Sequence, residues 1–593
     1  MTEDPTFAKH PDLPEWLVFA IPAGLIVGLS LSLQGLNGWP AFDDRWVGPD
    51  SYMRLVRILE LINGANWWEP VSMRSNFPDG EVLHWSRAFD LWVLTLSVPL
   101  LPFFETSTAV KIAAQVASIC LRLGVLVSLL WAVRPFSTAG GRLAIGAVFA
   151  MQFSILTYLA VGRPDHHGLI LLAWTIALGL LFRLLKSPWR MQETIITGVI
   201  LGIALWISIE GLFAASMIFL SLSLTWLFFD EGRARQLFVL SVVLSLTIMA
   251  TIALEFTPSN WLGEVYDKIS FPHLVVSFFI MLLWALIQFL PQRSLVARIA
   301  AASVATSAVL LFVFLVYPKL IAGPMVDVDP RVIRDWYAHN AEVAGMIGAD
   351  GFKFSDPKVI VYGLQALVIF PFLIFRACRV QDTTRRIWML LAVLSLTVAG
   401  LAVMELRWSV YFELIAAIGI GLVLAILFAK MESWNIAARA LCRIPLVLGL
   451  MIGPQLVGLT FATSQSNNTK VAGCDIKQLA SYLNTNYADR AHTILASNFA
   501  GPELLYRTKH NVIGTPYHRN GPGILDSIDV LEWRDGETSQ AIIERRKIDL
   551  ILICPLSEMS GKVVLHTKYP RPNRLREIEL PAENRYLLFE VMR

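Results

Sequence analysis

The chain has 593 residues, 49 basic and 46 acidic, for a net charge of +3, which says little about partners. Apolar residues make up 55% and charged residues only 16%, against about 25% charged in soluble domains; mean hydropathy is +0.58. These values exclude a disordered chain, a disulfide-stapled mini-protein and an ordinary cytosolic enzyme.

The apolar excess lies in runs long enough to cross a bilayer. The first covers 17–36. Its leader carries Glu3, Asp4 and Asp12 with one lysine, lacks the cationic start of a signal peptide, and reads as an uncleaved span. Further runs fall near 108–132, 143–161, 167–186, 193–209, 211–229, 236–254, 273–290, 298–317, 357–377, 386–404, 409–429 and 440–461. The expectation is a mostly α polytopic membrane protein of about thirteen spans. The apolar stretch 89–104 is short and contains Pro99 and Pro102, so a re-entrant or surface helix is expected there.

Basic residues fall in alternate loops: Arg134 and Arg142; Arg183, Lys186 and Arg190; Arg233 and Arg235; Arg293 and Arg298; Arg376, Arg379, Arg385 and Arg386; Lys430, Arg439 and Arg443. By the positive-inside rule these loops are cytoplasmic. The long acid-rich loops 37–107 and 318–356 are then exoplasmic, and so is the C-terminal segment. A multi-pass cell membrane, the bacterial inner membrane, is the expected location.

From about Ser464 the composition turns soluble, which divides the chain into a membrane part, 1–463, and an exoplasmic domain, 464–593. Strands are predicted at Thr493–Ala496, Val512–Gly514, Leu550–Cys554 and Tyr586–Val591, and helices near 475–487, 502–507 and 538–546, an α/β domain. Cys474 and Cys554 are its only cysteines. A bridge and two separately buried thiols both fit.

Four polar clusters stand out. Asp50, in Pro49-Asp50-Ser51-Tyr52, opens the amphipathic stretch Tyr52 to Ile62 and reads as a cation ligand or a helix cap. Gly162-Arg163-Pro164-Asp165-His166-His167-Gly168 crowds metal-ligand types and an arginine suited to phosphate into one short turn, where Asp165 could otherwise cap the next helix. In the loop 321–356, Arg331 to Ile347 is helix-compatible, and Asp335 and Glu342, seven apart, would share a face. Arg407, in Glu405-Leu406-Arg407-Trp408, suits a lipid phosphate or simple snorkelling. His84 and Arg87 before the short apolar stretch, and Tyr517, His518 and Arg519 after a strand, are candidates for a substrate groove. Walker A, HExxH and paired CxxC motifs are absent.

Together these pieces resemble the GT-C membrane glycosyltransferases, specifically the catalytic subunit of oligosaccharyltransferase, over nearly the whole chain. Pro49-Asp50-Ser51-Tyr52, followed by Arg54 and Arg57, is similar to that family's first catalytic-aspartate motif; Asp165-His166-His167 takes the place of the second. Glu342 matches the glutamate of the flexible outer loop, and Arg407 the arginine that meets the donor's phosphates.

The resemblance implies that Asp50, Asp165 and Glu342, with His167 where an acid is usual, surround Mn²⁺ or Mg²⁺. Arg407 and Arg163 would hold a polyprenyl-linked sugar donor. The sequon-reading W-W-D motif is missing from Leu495-Ala496-Ser497-Asn498-Phe499-Ala500-Gly501. The expected acceptor is therefore a glycan, glycolipid or other membrane lipid, with a protein acceptor less expected and nucleic acid not expected. A transporter or flippase of lipid-linked glycans, or an inactive scaffold on the same fold, are the competing readings.

Overall fold

The computed structural model describes all residues except 1–12, 37–42, 69, 188–189, 230–231, 290–293, 341–342, 344, 349–350, 353–356, 455, 458–473, 534, 556–573, 582–583 and 593. Among the described residues, nine helices are long and apolar enough to cross a membrane: Glu15–Gly35, Thr106–Phe136, His167–Lys186, Gly211–Phe229, Arg233–Glu255, Leu295–Val316, Val359–Arg379, Arg385–Met404 and Leu406–Lys430. The outward face of Leu295–Val316 is the most open, with Phe314 63% and Leu315 67% exposed. Such a surface is stable only in an apolar surround.

The other expected spans take shorter or broken forms. Three runs form shorter helices, Ala139–Ala150, Met191–Ile207 and Phe271–Ile287. Seventeen residues of helix reach about 25 Å, at the lower end of the range for a span. The run 143–161 is interrupted, and its second part is the six-residue helix Phe153–Tyr158. The run 440–461 begins as Ile436–Val447, with Pro445 inside, and passes into a π-helical turn at Leu448–Ile452. The stretch 89–104 forms the helix Ala88–Ser97 with a 3-10 turn at Val98–Leu100 and is too short to span, as expected.

The basic loops gather at one end. Arg134 and Arg142 pair with Glu15, Lys186 donates to Pro135 O, Arg233 to Leu184 O, Arg386 to Leu185 O and Arg298 to Leu227 O. The other end carries the first long loop and the C-terminal domain.

The first loop contains the hairpin β1 (Val71–Ser72) and β2 (Glu81–Val82), and the second loop the hairpin β3 (Ile347–Gly348) and β4 (Gly351–Phe352). The C-terminal sheet comprises β5 (Thr493–Leu495), β6 (Asn511–Val512), β7 (Leu550–Ile553), β8 (Leu575–Ile578) and β9 (Leu587–Val591), in the order β6-β5-β7-β9-β8. The first three strands are parallel, and β9 joins β7 and β8 antiparallel. Helices Ile476–Asn486, Gly501–Arg507 and Gly536–Arg545 lie within two residues of expectation; Gly521–Glu532 and β8 were not foreseen. Cys474 and Cys554 are bridged, Cα to Cα 6.0 Å. The expected domain boundary at 464 lies outside the described residues.

The helix Gly48–Ile62 joins the two parts. Its Tyr52, Leu55 and Ile58 enter the core of the bundle, while Met53 and Val56 enter a second core with Leu83, Trp85, Leu479, Leu504, Leu550 and Leu588. The free edge of β6 is also closed by the first loop. Val512 N–H donates to Arg74 O at 2.8 Å, and Phe77 N–H to Val512 O at 3.1 Å, so no unpaired edge faces water there.

Of the helix-compatible stretch 331–347, only the first turns are helical among the described residues. The helix stops at Asp335, turns through Tyr337–His339 and gives way to β3. Packing of Val332 and Trp336 against Ile524 of the C-terminal domain fixes that turn and overrides the local periodicity. Glu342 lies outside the described residues.

Candidate active site

The two aspartate motifs meet through the backbone. Val47 N–H donates to Gly162 O at 2.9 Å, which docks the segment before Asp50 on the turn before Asp165. Val47 is the N-cap of Gly48–Ile62 and no side chain caps that end, so Asp50, in the first turn, is not the cap. One helical turn on, Arg54 lies on the same face and is 1% exposed. Its Nη2 is 3.9 Å from Asp165 Oδ1, its Nη1 is 3.9 Å from Asp90 Oδ1, and the guanidinium stacks on Trp85 at 3.9 Å. Asp50 acts on the same guanidinium electrostatically. Tyr517, from the C-terminal domain, faces Asp50; burial and the Asp50 and Glu81 charges push its phenol well above the usual range.

Asp165 is buried, and its Oδ1 accepts from the backbone N–H of His166 at 2.7 Å and lies 2.7 Å from His166 Nδ1. Its Oδ2 makes no hydrogen bond and lies 3.5 Å from His167 Nε2. Burial alone would raise the carboxyl, but the His167 and His166 imidazoles and Arg54 hold it well below the usual carboxylate range. The following helix, His167–Lys186, is entered from His166 with no side-chain cap, so Asp165 is not a cap either. One ligand atom each from Asp165, His166 and His167 lies within 4.8 Å of the others. A carboxylate oxygen without a hydrogen bond beside two imidazoles is a donor set suited to a divalent cation.

A cationic arm adjoins this cluster. Glu210 lies within electrostatic reach of His167, Arg407 and His166, and accepts from Tyr411 at 3.1 Å. Arg407 Nη1 is 3.6 Å from Glu210 Oε1 and Nη2 is 2.7 Å from Glu405 Oε2, with 30% of the side chain exposed. Arg163 stacks over Tyr158 at 4.5 Å and is partly exposed.

On the opposite flank, His84 lies 4.4 Å ring to ring from His518. Burial, and the charge of His518, hold its imidazole well below the usual value. His518 Nε2 and Arg519 Nε are each 2.7 Å from Asp267 Oδ2. They line a cleft of about 820 Å³ between the loops around Tyr266 and Asp329 and the C-terminal domain.

Arg87 does not line this cleft. It is 2% exposed and bonds Asp90 and the carbonyls of Trp67 and Asn66, while its N–H donates to Glu255. The expectation that it faces substrate is corrected: burial without such partners would be prohibitive, and they use its donors. Asp90 and Tyr158 were not foreseen as site-building residues, and Arg54 was read only as part of the motif at Asp50. Asp90 carried a signal, since it is the only charge in the apolar run 89–104.

No protein-family model and no curated protein sequence matches the chain. Solved structures do. The archaeal oligosaccharyltransferase AglB from Archaeoglobus fulgidus, in complex with an inhibitory peptide and a dolichol-phosphate, aligns at 16% identity and TM-score 0.69, covering 91% of this chain and 69% of its own. The apo form aligns at 14% identity and TM-score 0.70, covering 94% and 72%. The complex with Zn and sulfate aligns at 12% identity and TM-score 0.61, covering 97% and 73%. The chain thus shares the fold of these archaeal oligosaccharyltransferase structures: a helical membrane bundle with a sheet-containing C-terminal domain.

Proposed function

We propose that this protein is an integral-membrane glycosyltransferase that moves a sugar or glycan from a polyprenyl-(pyro)phosphate donor to an acceptor outside the membrane. The observation that carries this reading is the meeting of Asp50 and Asp165, 115 positions apart, around Arg54 at the polar end of a GT-C bundle. Asp165 and His167, joined by Asp50, would hold the divalent cation, with Glu342 as a further ligand. Nitrogen donors favour Mn²⁺ over Mg²⁺. When bound, the cation supplies Lewis-acid stabilisation of the leaving phosphate.

The chain's own residues do the rest. Arg407 and Arg163 hold the donor phosphate. Asp50 orients the acceptor and takes its proton as the acceptor heteroatom bonds to the sugar's anomeric carbon and the bond from that carbon to the phosphate oxygen breaks. The archaeal relative binds a dolichol-phosphate and a peptide, which supports a lipid-linked donor. The turn 495–501, where Asn498 Oδ1 would lie 2.0 Å from a Cβ placed on Gly514, has no tryptophan or carboxylate to read a sequon. The acceptor proposed is therefore a glycan or glycolipid, entering by the cleft at His518 and Arg519.

The polar end is exoplasmic in this reading, in keeping with basic loops at the other end and with a bridged Cys474–Cys554 pair, which persists in oxidising compartments. The test is transfer from a radiolabelled polyprenyl-phosphate sugar in proteoliposomes. Asp50→Ala and Asp165→Ala are expected to lower the rate by about a hundredfold or more with expression intact. Unchanged rates in both, or lipid-glycan flux without product, would overturn the proposal.

A further inference from the structure

A carboxylate and a guanidinium inside the bundle serve none of the roles above. Glu413, on Ser409–Lys430, and Arg122, on Thr106–Val133, are both completely buried. Ionisable groups at such positions are costly and are kept for a purpose. Both face the interruption between Ala139–Ala150 and Phe153–Tyr158. Arg122 Nη2 donates to Ala150 O at 2.6 Å, at the C-terminal end of the first piece. Glu413 accepts from Ser154 N–H and Ile155 N–H, each at 3.0 Å, at the start of the second. Each charge thus sits where the ends of a broken helix leave backbone groups without partners, with the sign that the helix dipole favours. Arg122 and Glu413 also lie within electrostatic reach of each other. Ser409 Oγ donates to Ser154 Oγ at 2.8 Å, and Tyr362 bonds the same hydroxyl, so four helices meet at the break.

The second piece ends at Tyr158. That ring meets His167 edge-on at 4.9 Å between centroids and carries Arg163 on its face. Glu413 itself lies one and a half turns beyond Arg407.

We infer that Glu413 and Arg122 are positioning residues: they brace the broken helix so that Tyr158 holds His167 and Asp165 at a fixed place relative to Arg407. The inference rests on the proposed active site for its consequence in catalysis, but the brace itself can be read without any turnover.

The experiment uses the full chain in detergent micelles, with Glu413→Leu, Glu413→Gln and Arg122→Met. Amide exchange is followed in peptides covering 151–168, with 211–229 as internal reference, and transfer kinetics are measured alongside. Glu413→Leu is expected to speed exchange in 151–168 by about tenfold or more, since charge-assisted bonds to two amides are lost, with 211–229 unchanged. Its kcat falls by about the same factor while KM for the donor stays. Glu413→Gln keeps an acceptor oxygen and recovers most of the protection and the rate.

Unchanged exchange in 151–168, or a uniform rise across the bundle, overturns the inference. Should Glu413→Leu not fold, Arg122→Met decides on the same readout and has to loosen 151–168 selectively, with Glu413→Gln as the protected control. If the parent chain transfers no sugar while the exchange pattern holds, the proposed function fails and the brace stands.

Discussion

Glu81 shows how one buried group couples the two halves of the molecule. It lies on β2, 2% exposed. It accepts hydrogen bonds from Ser75 and, at 2.6 Å, from Thr515 of the C-terminal domain. Burial pushes its pKa up to about 7, with the two hydroxyls opposing the shift. In the unfolded chain a glutamate titrates near 4.3. Between these values the folded protein keeps a proton that the unfolded chain has lost. The contribution is therefore fully present on the acid side and is lost as pH rises towards 7. Roughly 2.7 pH units correspond to about 4 kcal/mol. Glu81→Gln cannot ionise, so its thermal midpoint should fall less than that of the parent between about pH 5 and 7, which scanning fluorimetry would measure. Parallel slopes for the two proteins would refute the assignment.

The individual helices and strands divide into those fixed locally and those fixed by distant contacts. The bridge between Cys474 and Cys554 spans 80 residues of sequence. In the chain-entropy account, a loop of that size stabilises the domain by about 4–5 kcal/mol. It also anchors Ile476–Asn486, whose N-cap Asp475 pairs with Arg45 while Lys477 reaches Asp43. Replacing both cysteines by serine should lower the thermal midpoint and make it insensitive to reductant, whereas the parent should fall to the variant's value when reduced.

The cysteines were visible in the sequence, but their pairing was not, because spacing alone does not bring Cys474 beside the end of β7. The strands of the sheet were legible from short apolar runs. The helix from Gly48 was legible from its amphipathic stretch. The break in the run 143–161 was not legible because hydropathy averages over Gln152, while the groups that stabilise it, Arg122 and Glu413, come from elsewhere in the chain. At the site, Asp50 and Asp165 were readable as local motifs. Arg54 facing Asp165, and Tyr517 facing Asp50, are long-range contacts that no local pattern encodes.

Across the whole molecule, the C-terminal domain contributes to the proposed site as well as covering the first loop. Arg507 reaches Asp44 and Tyr52, Arg546 reaches Asp79 and the carbonyls of Asn76 and Phe77, and Arg331 reaches Asp529. Arg74 donates to Thr508 O and Leu505 O. A chain ending at residue 463 would uncover Met53, Val56, Leu83 and Trp85, each no more than 6% exposed in the full protein. It would leave Asp50 without Tyr517, and Glu81 without Thr515. The bundle core, which draws on residues from Val18 to Leu424, stays intact in such a chain. The shortened protein is therefore expected to insert and keep its helical content, yet its first loop should loosen. Trypsin should cut after Arg74, whose guanidinium and backbone carbonyl are both engaged by the C-terminal domain in the full chain, and transfer should fall to background. Protection of Arg74 together with retained transfer would mean that the first loop holds Asp50 against Asp165 unaided, and that Tyr517 plays no part in the chemistry.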